Sequence, residues 1–95
     1  MQPKYPISGS GQVLALGAAS VASAAVGQNT SIVRLVASGA CHVDIGPTPV
    51  ATAATGMYVA PSRHGEYFRI GVGEKVAVIQ DGAATGNLYL TEMTG

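Results

Sequence analysis

Charge is what this sequence has least of. Asp, Glu, Lys and Arg make up 11% of its 95 residues, five acidic and five basic, and the formal net charge is zero. Globular proteins average about 25% charged residues. Lys4, Arg34, Arg63, Arg69 and Lys75 are scattered among Asp44, Glu66, Glu74, Asp81 and Glu92. A nucleic-acid partner calls for a basic stripe, and none is visible, so no such partner is expected. Long apolar runs are missing too. The longest, residues 13–26 (VLALGAASVASAAV), is broken by Gly17, Ser20 and Ser23. It falls short of the roughly 20 apolar residues a membrane span needs, and no membrane partner is expected. It also makes a poor secretory leader, because Pro3, Pro6 and the tract SGSG interrupt the approach to it. The single cysteine, Cys41, excludes an internal disulfide framework and fits synthesis in a reducing cytoplasm. Without a secretory route, the triplet Asn29, Thr30 and Ser31 carries little meaning as a glycosylation site.

The same poverty limits chemistry. Metal ligands gather only around Cys41, His42 and Asp44, with His64 further on. In a strand Cys41 and His42 point to opposite faces, and the paired spacings of a zinc site are absent. Cys41, His64 and Asp81 can be written down as nucleophile, base and orienting acid, yet no local signature supports the set. Glu66 and Glu92 are the acids that could pair for glycoside chemistry, and sequence cannot place them across a cleft. GVGEK at 71–75 lacks the spacing of a phosphate loop and reads instead as a hairpin turn, and GSGQVL lacks the third Gly of a dinucleotide fingerprint. The expectation is a non-enzymatic protein with no cofactor and no metal.

What the chain does have is apolar content of 47%, much of it Ala and Val, with 13 Gly. That excludes disorder, which needs low hydrophobicity and high net charge. The length suits one domain, residues 12–95, preceded by an extended arm over residues 1–11, where two prolines and a Gly/Ser tract bar a core element. Strands are predicted at about 12–16 and 20–26, with a bend at Gly17. Helix is the alternative that the Ala content favours there. SIVRLVAS (31–38) alternates, with Val33, Leu35 and Ala37 on one face and Ile32, Arg34 and Val36 on the other. CHVDIG (41–46) alternates with Cys41, Val43 and Ile45 inward and His42 and Asp44 outward; the two segments read as a hairpin pivoting near Ser38, Gly39 and Ala40. Pro47 and Pro49 make 47–56 a loop, of a length that crosses between sheets or carries an interaction. Further strands follow at 57–61, 66–70, 75–80 and 87–93, the last two flanking the turn DGAATG as a terminal hairpin. The sum is all-β: a small antiparallel β-sandwich or jelly-roll-like barrel of about eight short strands.

The text MYVAPSRHGEYFRIGVGEKVAVIQDGAATGNLYLTEM (57–93) carries a resemblance. The residues Glu66, Tyr67, Phe68, Gly73, Glu74, Lys75, Val76, Ala77, Val78, Ile79, Gln80 and Asp81, followed by Gly86, Leu88, Thr91, Glu92 and Met93, match an EYF…GEKVAVIQD…TEM ending. It resembles small β proteins encoded among the structural genes of tailed bacteriophages. SIVRLVASGACHVDIGPTPVAT is similar to the middle of such proteins, so the likeness covers about two-thirds of the chain. The resemblance implies a virion protein made in the bacterial cytoplasm: a capsid cement (decoration) protein, or a head-tail or tail-associated component. Its implied partners are the major capsid protein, other virion proteins and further copies of itself, by analogy as a trimer. Tyr5 and Ile7 on the arm, with His42, Tyr58, Arg63 and Tyr67, are the candidate interface residues. A receptor- or carbohydrate-binding module using the loop 47–56 and exposed tyrosines is the second expectation.

Overall fold

The structure is a computed structural model, and it describes residues 5, 6, 11–28, 30–62 and 64–94, with the side chains of 5, 6 and 94 left undescribed. Every regular element among them is a β-strand. Nine occur in chain order: β1 (Tyr5–Pro6), β2 (Gln12–Ala15), β3 (Val21–Ala22), β4 (Ile32–Ala37), β5 (Cys41–Gly46), β6 (Met57–Val59), β7 (Glu66–Arg69), β8 (Lys75–Gln80) and β9 (Asn87–Thr94). Residues 12–26 are extended rather than helical, as β-branched Val13, Val21 and Val26 and mid-run Gly17 favour. The second strand there is shorter than expected, although Ser23 N–H and Val26 N–H continue to donate to Val76 and Glu74 carbonyls beyond it.

Two antiparallel sheets pack face to face. One has the order β1-β9-β4-β7, with β2 also pairing β9; the other has the order β3-β8-β5-β6. Nearly every connection changes sheet. Strands β2, β3, β4 and β5 pair respectively with β9, β8, β7 and β6, so the chain is a long antiparallel ribbon folded over on itself. The folded-over halves are then joined by β4 against β9 and β5 against β8. That is the jelly-roll arrangement, a sandwich with few exposed edges.

Four expectations need correcting. Segments 31–38 and 41–46 are not a hairpin, because β4 and β5 lie in different sheets and residues 38–40 bridge them. The terminal hairpin is not one either. β8 and β9 lie in opposite sheets, each flanked on both sides, so they form the centres of the two layers rather than an edge. The turn at 71–74 likewise connects β7 to β8 across the sandwich; Gly73 there has φ +79°, a conformation that glycine adopts freely. The loop 47–56 does the opposite of crossing, since β5 and β6 are neighbours in one sheet.

The core follows from the alternation. Val33, Leu35 and Ala37 of β4, Cys41 and Val43 of β5, Val76 and Val78 of β8, and Leu88 and Leu90 of β9 are buried in one cluster, with Leu14, Val26, Val59 and Ile70 completing it. Each fully buried Leu or Val of this kind contributes roughly 1.5–3 kcal/mol of transfer free energy.

Candidate functional site

The two sheets treat their outer faces differently. Across the four-stranded sheet the outward residues include His42 and Asp44 on β5, Tyr58 on β6, Ala22 on β3 and Lys75, Ala77 and Ile79 on β8, as their register with core residues requires. Ala77 is nonetheless completely buried. The loop 47–56 lies over this face. Ala51 N–H donates to Ser20 Oγ at 2.9 Å, beside β3, and a Cβ on Gly56 would sit 3.0 Å from His42 Cβ. One sheet therefore covers itself with its own connection.

The outer face of the five-stranded sheet is exposed over part of its extent, although Met93 at one end of it is buried. Its outward positions are Val13 and Ala15 on β2, Tyr89, Thr91 and Met93 on β9, Ile32, Arg34 and Val36 on β4, and Tyr67 and Arg69 on β7. Register arranges them in rows: Val13 beside Tyr89 beside Val36, then Thr91 beside Arg34 beside Tyr67, then Met93 beside Ile32 beside Arg69. Val13, Tyr67 and Tyr89 are 59%, 53% and 43% exposed. Val36 and Tyr89 line a shallow depression of about 430 Å³ with Ser38, Pro61 and Ser62. Arg34 is held in the middle of the face, its Nη2–H donating to the His64 carbonyl at 3.0 Å. The exposed part of this face, around Val13, Tyr67 and Tyr89, is apolar and aromatic, the character of a candidate binding surface.

The expected interface residues are not brought together. Tyr67 belongs to this open face. His42 and Tyr58 belong to the other sheet, where their rings meet edge to face at 5.5 Å. His42 Nε2 lies 2.9 Å from Asp81 Oδ1, which clamps the connection before β9 onto β5. The strand pairing places Tyr5 opposite Thr94 in β1, while Ile7 and Arg63 lie outside the described residues. Val13, Ile32 and Val36 were not singled out from sequence, whereas Tyr89 was among the tyrosines weighed for an exposed sheet face. The signal was present in IVRLVA, where both faces of β4 carry apolar residues, as in a strand covered on both sides.

The chemical sets stay apart. Cys41 faces the core and His42 faces outward, so the adjacent pair shares no site. Asp81 pairs with His42, not with His64. Glu66 and Glu92 are on strands separated by β4, and Glu92 is nearly buried, accepting from Thr30 Oγ1 at 2.6 Å and Gly27 N–H at 2.9 Å. Among the described residues no group of three His, Cys, Asp or Glu could hold a metal ion.

Burial, with a smaller contribution from the Asp81 carboxylate, pushes the Cys41 thiol up to about 11 from 9.0. The thiol is therefore protonated and enclosed at neutral pH. Alkylating reagents are expected to leave it intact in the native protein and to label it completely in urea. Labelling at the native rate of an exposed thiol would contradict its inward position. Because the folded thiol holds its proton more tightly than the unfolded one, stability is full below about pH 9 and falls as pH rises toward about 11. Cys41→Ala should remove that alkaline component.

Comparison with family models, with curated proteins and with solved structures finds no match to this chain.

Proposed function

We propose that the chain is a structural protein of a bacteriophage virion, acting by binding: a capsid cement protein that seats at capsomer junctions and reinforces the head. The observation that carries this reading is the group of exposed apolar and aromatic side chains, Val13, Tyr67 and Tyr89, on the outer side of the five-stranded sheet, in a chain whose loop 47–56 lies over its other sheet. The resemblance of residues 57–93 supplies the kind of particle. Low charge suits a surface that is mostly covered after assembly. Repetition of one modest contact over a shell multiplies weak affinities through avidity.

A second reading, a virion-displayed receptor- or carbohydrate-binding module, draws on the depression beside Tyr89, where a ring and the Ser38 and Ser62 hydroxyls could meet a sugar. A head-tail or tail-associated position is the remaining variant of the first. The test is fractionation of purified particles. The cement reading expects the chain in the head fraction at about the copy number of the capsid protein, and heads lacking it to rupture at lower temperature. Its absence from particles, together with a hit on a glycan array, would replace this reading with the second.

A further inference from the structure

The edges of the two sheets are finished differently. Just past β3 the edge is capped by side chains: Ala24 N–H donates to Gln12 Oε1 at 2.9 Å, and the Ser23 hydroxyl donates to the Ala24 carbonyl at 2.9 Å. β6 has three residues and is stopped by Pro61. β7 carries Glu66 and Arg69. Capping, shortness, proline and charge are the devices that keep sheet edges from pairing with other chains. β2 has no charge, no proline and an unbroken register with β9, hence no bulge.

Register fixes which groups of β2 face outward. Leu16 N–H donates to the Gly86 carbonyl at 3.0 Å, and Leu14 and Gln12 lie opposite Leu88 and Leu90. Bonding alternates along an antiparallel pair. Residues 12, 14 and 16 therefore turn their N–H and C=O groups to β9, while Val13 and Ala15 turn theirs away. Among the described residues no strand lies on that side. Val13 and Ala15 are both exposed. Two donors and two acceptors thus stand in a row on an apolar, uncharged edge.

We propose that β2 is a self-association edge whose occupant is β2 of a second copy, laid antiparallel about a two-fold axis at Leu14. In that register Val13 lies opposite Ala15 of the second copy, and Ala15 opposite its Val13. Each of these pairs exchanges two N–H···O=C bonds, about four in all, and every outward main-chain group of both strands is met. The Val13 methyl groups lie beside the small Ala15 on the outer surface, and both Leu14 side chains stay inward. An axis at Val13 would instead set Ala15 against Gly11, outside the strand. No charge on either strand opposes the approach. A second copy brings an identical row of unmet groups, so one pairing closes two edges; a foreign strand would close one and present its own. A single strand pair is a small contact, below about 1,200 Å², so the dimer is transient in dilute solution. The pairing goes beyond the virion reading and does not depend on it.

The test is sedimentation velocity on the purified chain over a concentration series reaching about 1 mM, where even millimolar contacts populate. The wild type should rise in mass toward a dimer. Ala15→Pro deletes an N–H that bonds nothing within the described chain, and Val13→Lys sets an ammonium on the edge. Both should melt with the wild type and associate about tenfold more weakly or worse. Val50→Lys, at a residue 66% exposed on the loop 47–56, should associate as the wild type does. If Ala15→Pro loses stability, Val13→Lys decides alone. A Val13→Cys/Ala15→Cys double variant adds a covalent readout, since residues facing each other in a bonded pair have Cα atoms about 5.5 Å apart. Oxidation should join position 13 of one copy to position 15 of the other; Cys41 is buried and takes no part. A chain that stays monomeric throughout and forms no such bridge overturns the proposal. So does a dimer or trimer that Val13→Lys leaves unchanged. Either result leaves the virion reading standing, because particle fractionation tests that separately.

Discussion

Leu35→Ala is expected to lower the free energy of unfolding by about 3 kcal/mol. Leu35 is wholly buried at the centre of β4, with Leu90 of β9 on one side of it and Glu66 of β7 on the other. Its side chain faces the second sheet and packs in the cluster with Val43 and Val78, so truncation leaves a hole that neither layer can close alone. A domain of this size holds about 5–14 kcal/mol in total, and the change removes a large share of it. With a urea m-value near 1.5 kcal/mol/M, the unfolding midpoint should fall by about 2 M. Val13→Ala, at the exposed end of the same sheet, should hardly move it. A midpoint shift under about 0.5 M for Leu35→Ala would mean that the two sheets do not meet over this residue.

The faces of the strands were legible in the sequence, and their neighbours were not. In β4 the alternation placed Val33, Leu35 and Ala37 inside, and in β5 it placed Cys41 and Val43 inside. Alternation, however, states only which side of a strand is apolar. A hairpin and an arch between two sheets both put the same letters in the core. Residues 38–40 and 81–86 therefore looked like hairpin turns while bridging the layers. The distinction lies in long-range pairing, β4 with β9 and β5 with β8, which no local window contains.

The candidate site follows the same division. Tyr67 drew notice because it is adjacent to Phe68 in a strand, where one of the two must face outward. Val13, Ile32, Val36 and Tyr89 become one face only when β9 sits between β2 and β4. Tyr58 and His42 stood out equally, and the structure places them on the opposite layer, packed against each other beneath Asp81. Nor could the sequence say which sheet the loop 47–56 would lie over; that depends on where Ser20 lies relative to Ala51 in space.

Gly39→Ala is expected to cost about 3 kcal/mol, for reasons of space alone. Gly39 is buried in the bridge from β4 to β5. A Cβ there would fall on the carbonyl oxygen of Thr85, with the Thr85 carbonyl carbon at 3.0 Å and Leu16 Cδ1 at 3.2 Å. Thr85 belongs to the bridge from β8 to β9, so the two sheet-changing connections run backbone against backbone. Hydrogen bonds hold them there: Ser38 N–H donates to the Asn87 carbonyl at 3.0 Å, Asn87 N–H to Ser38 Oγ at 2.8 Å, and Asp81 N–H to the Ala40 carbonyl at 3.0 Å. An added methyl group must part main chain from main chain, which a flexible side chain would not resist but a bonded backbone does. The melting temperature should drop by about 15 °C. Gly17→Ala has open space around it and should be neutral, or stabilising by about 0.5 kcal/mol through the unfolded chain. Hairpin turns in place of these bridges would keep residues 39 and 85 apart and make both substitutions harmless. The pair of melts therefore tests the jelly-roll path itself, at the point where its two central layers are joined.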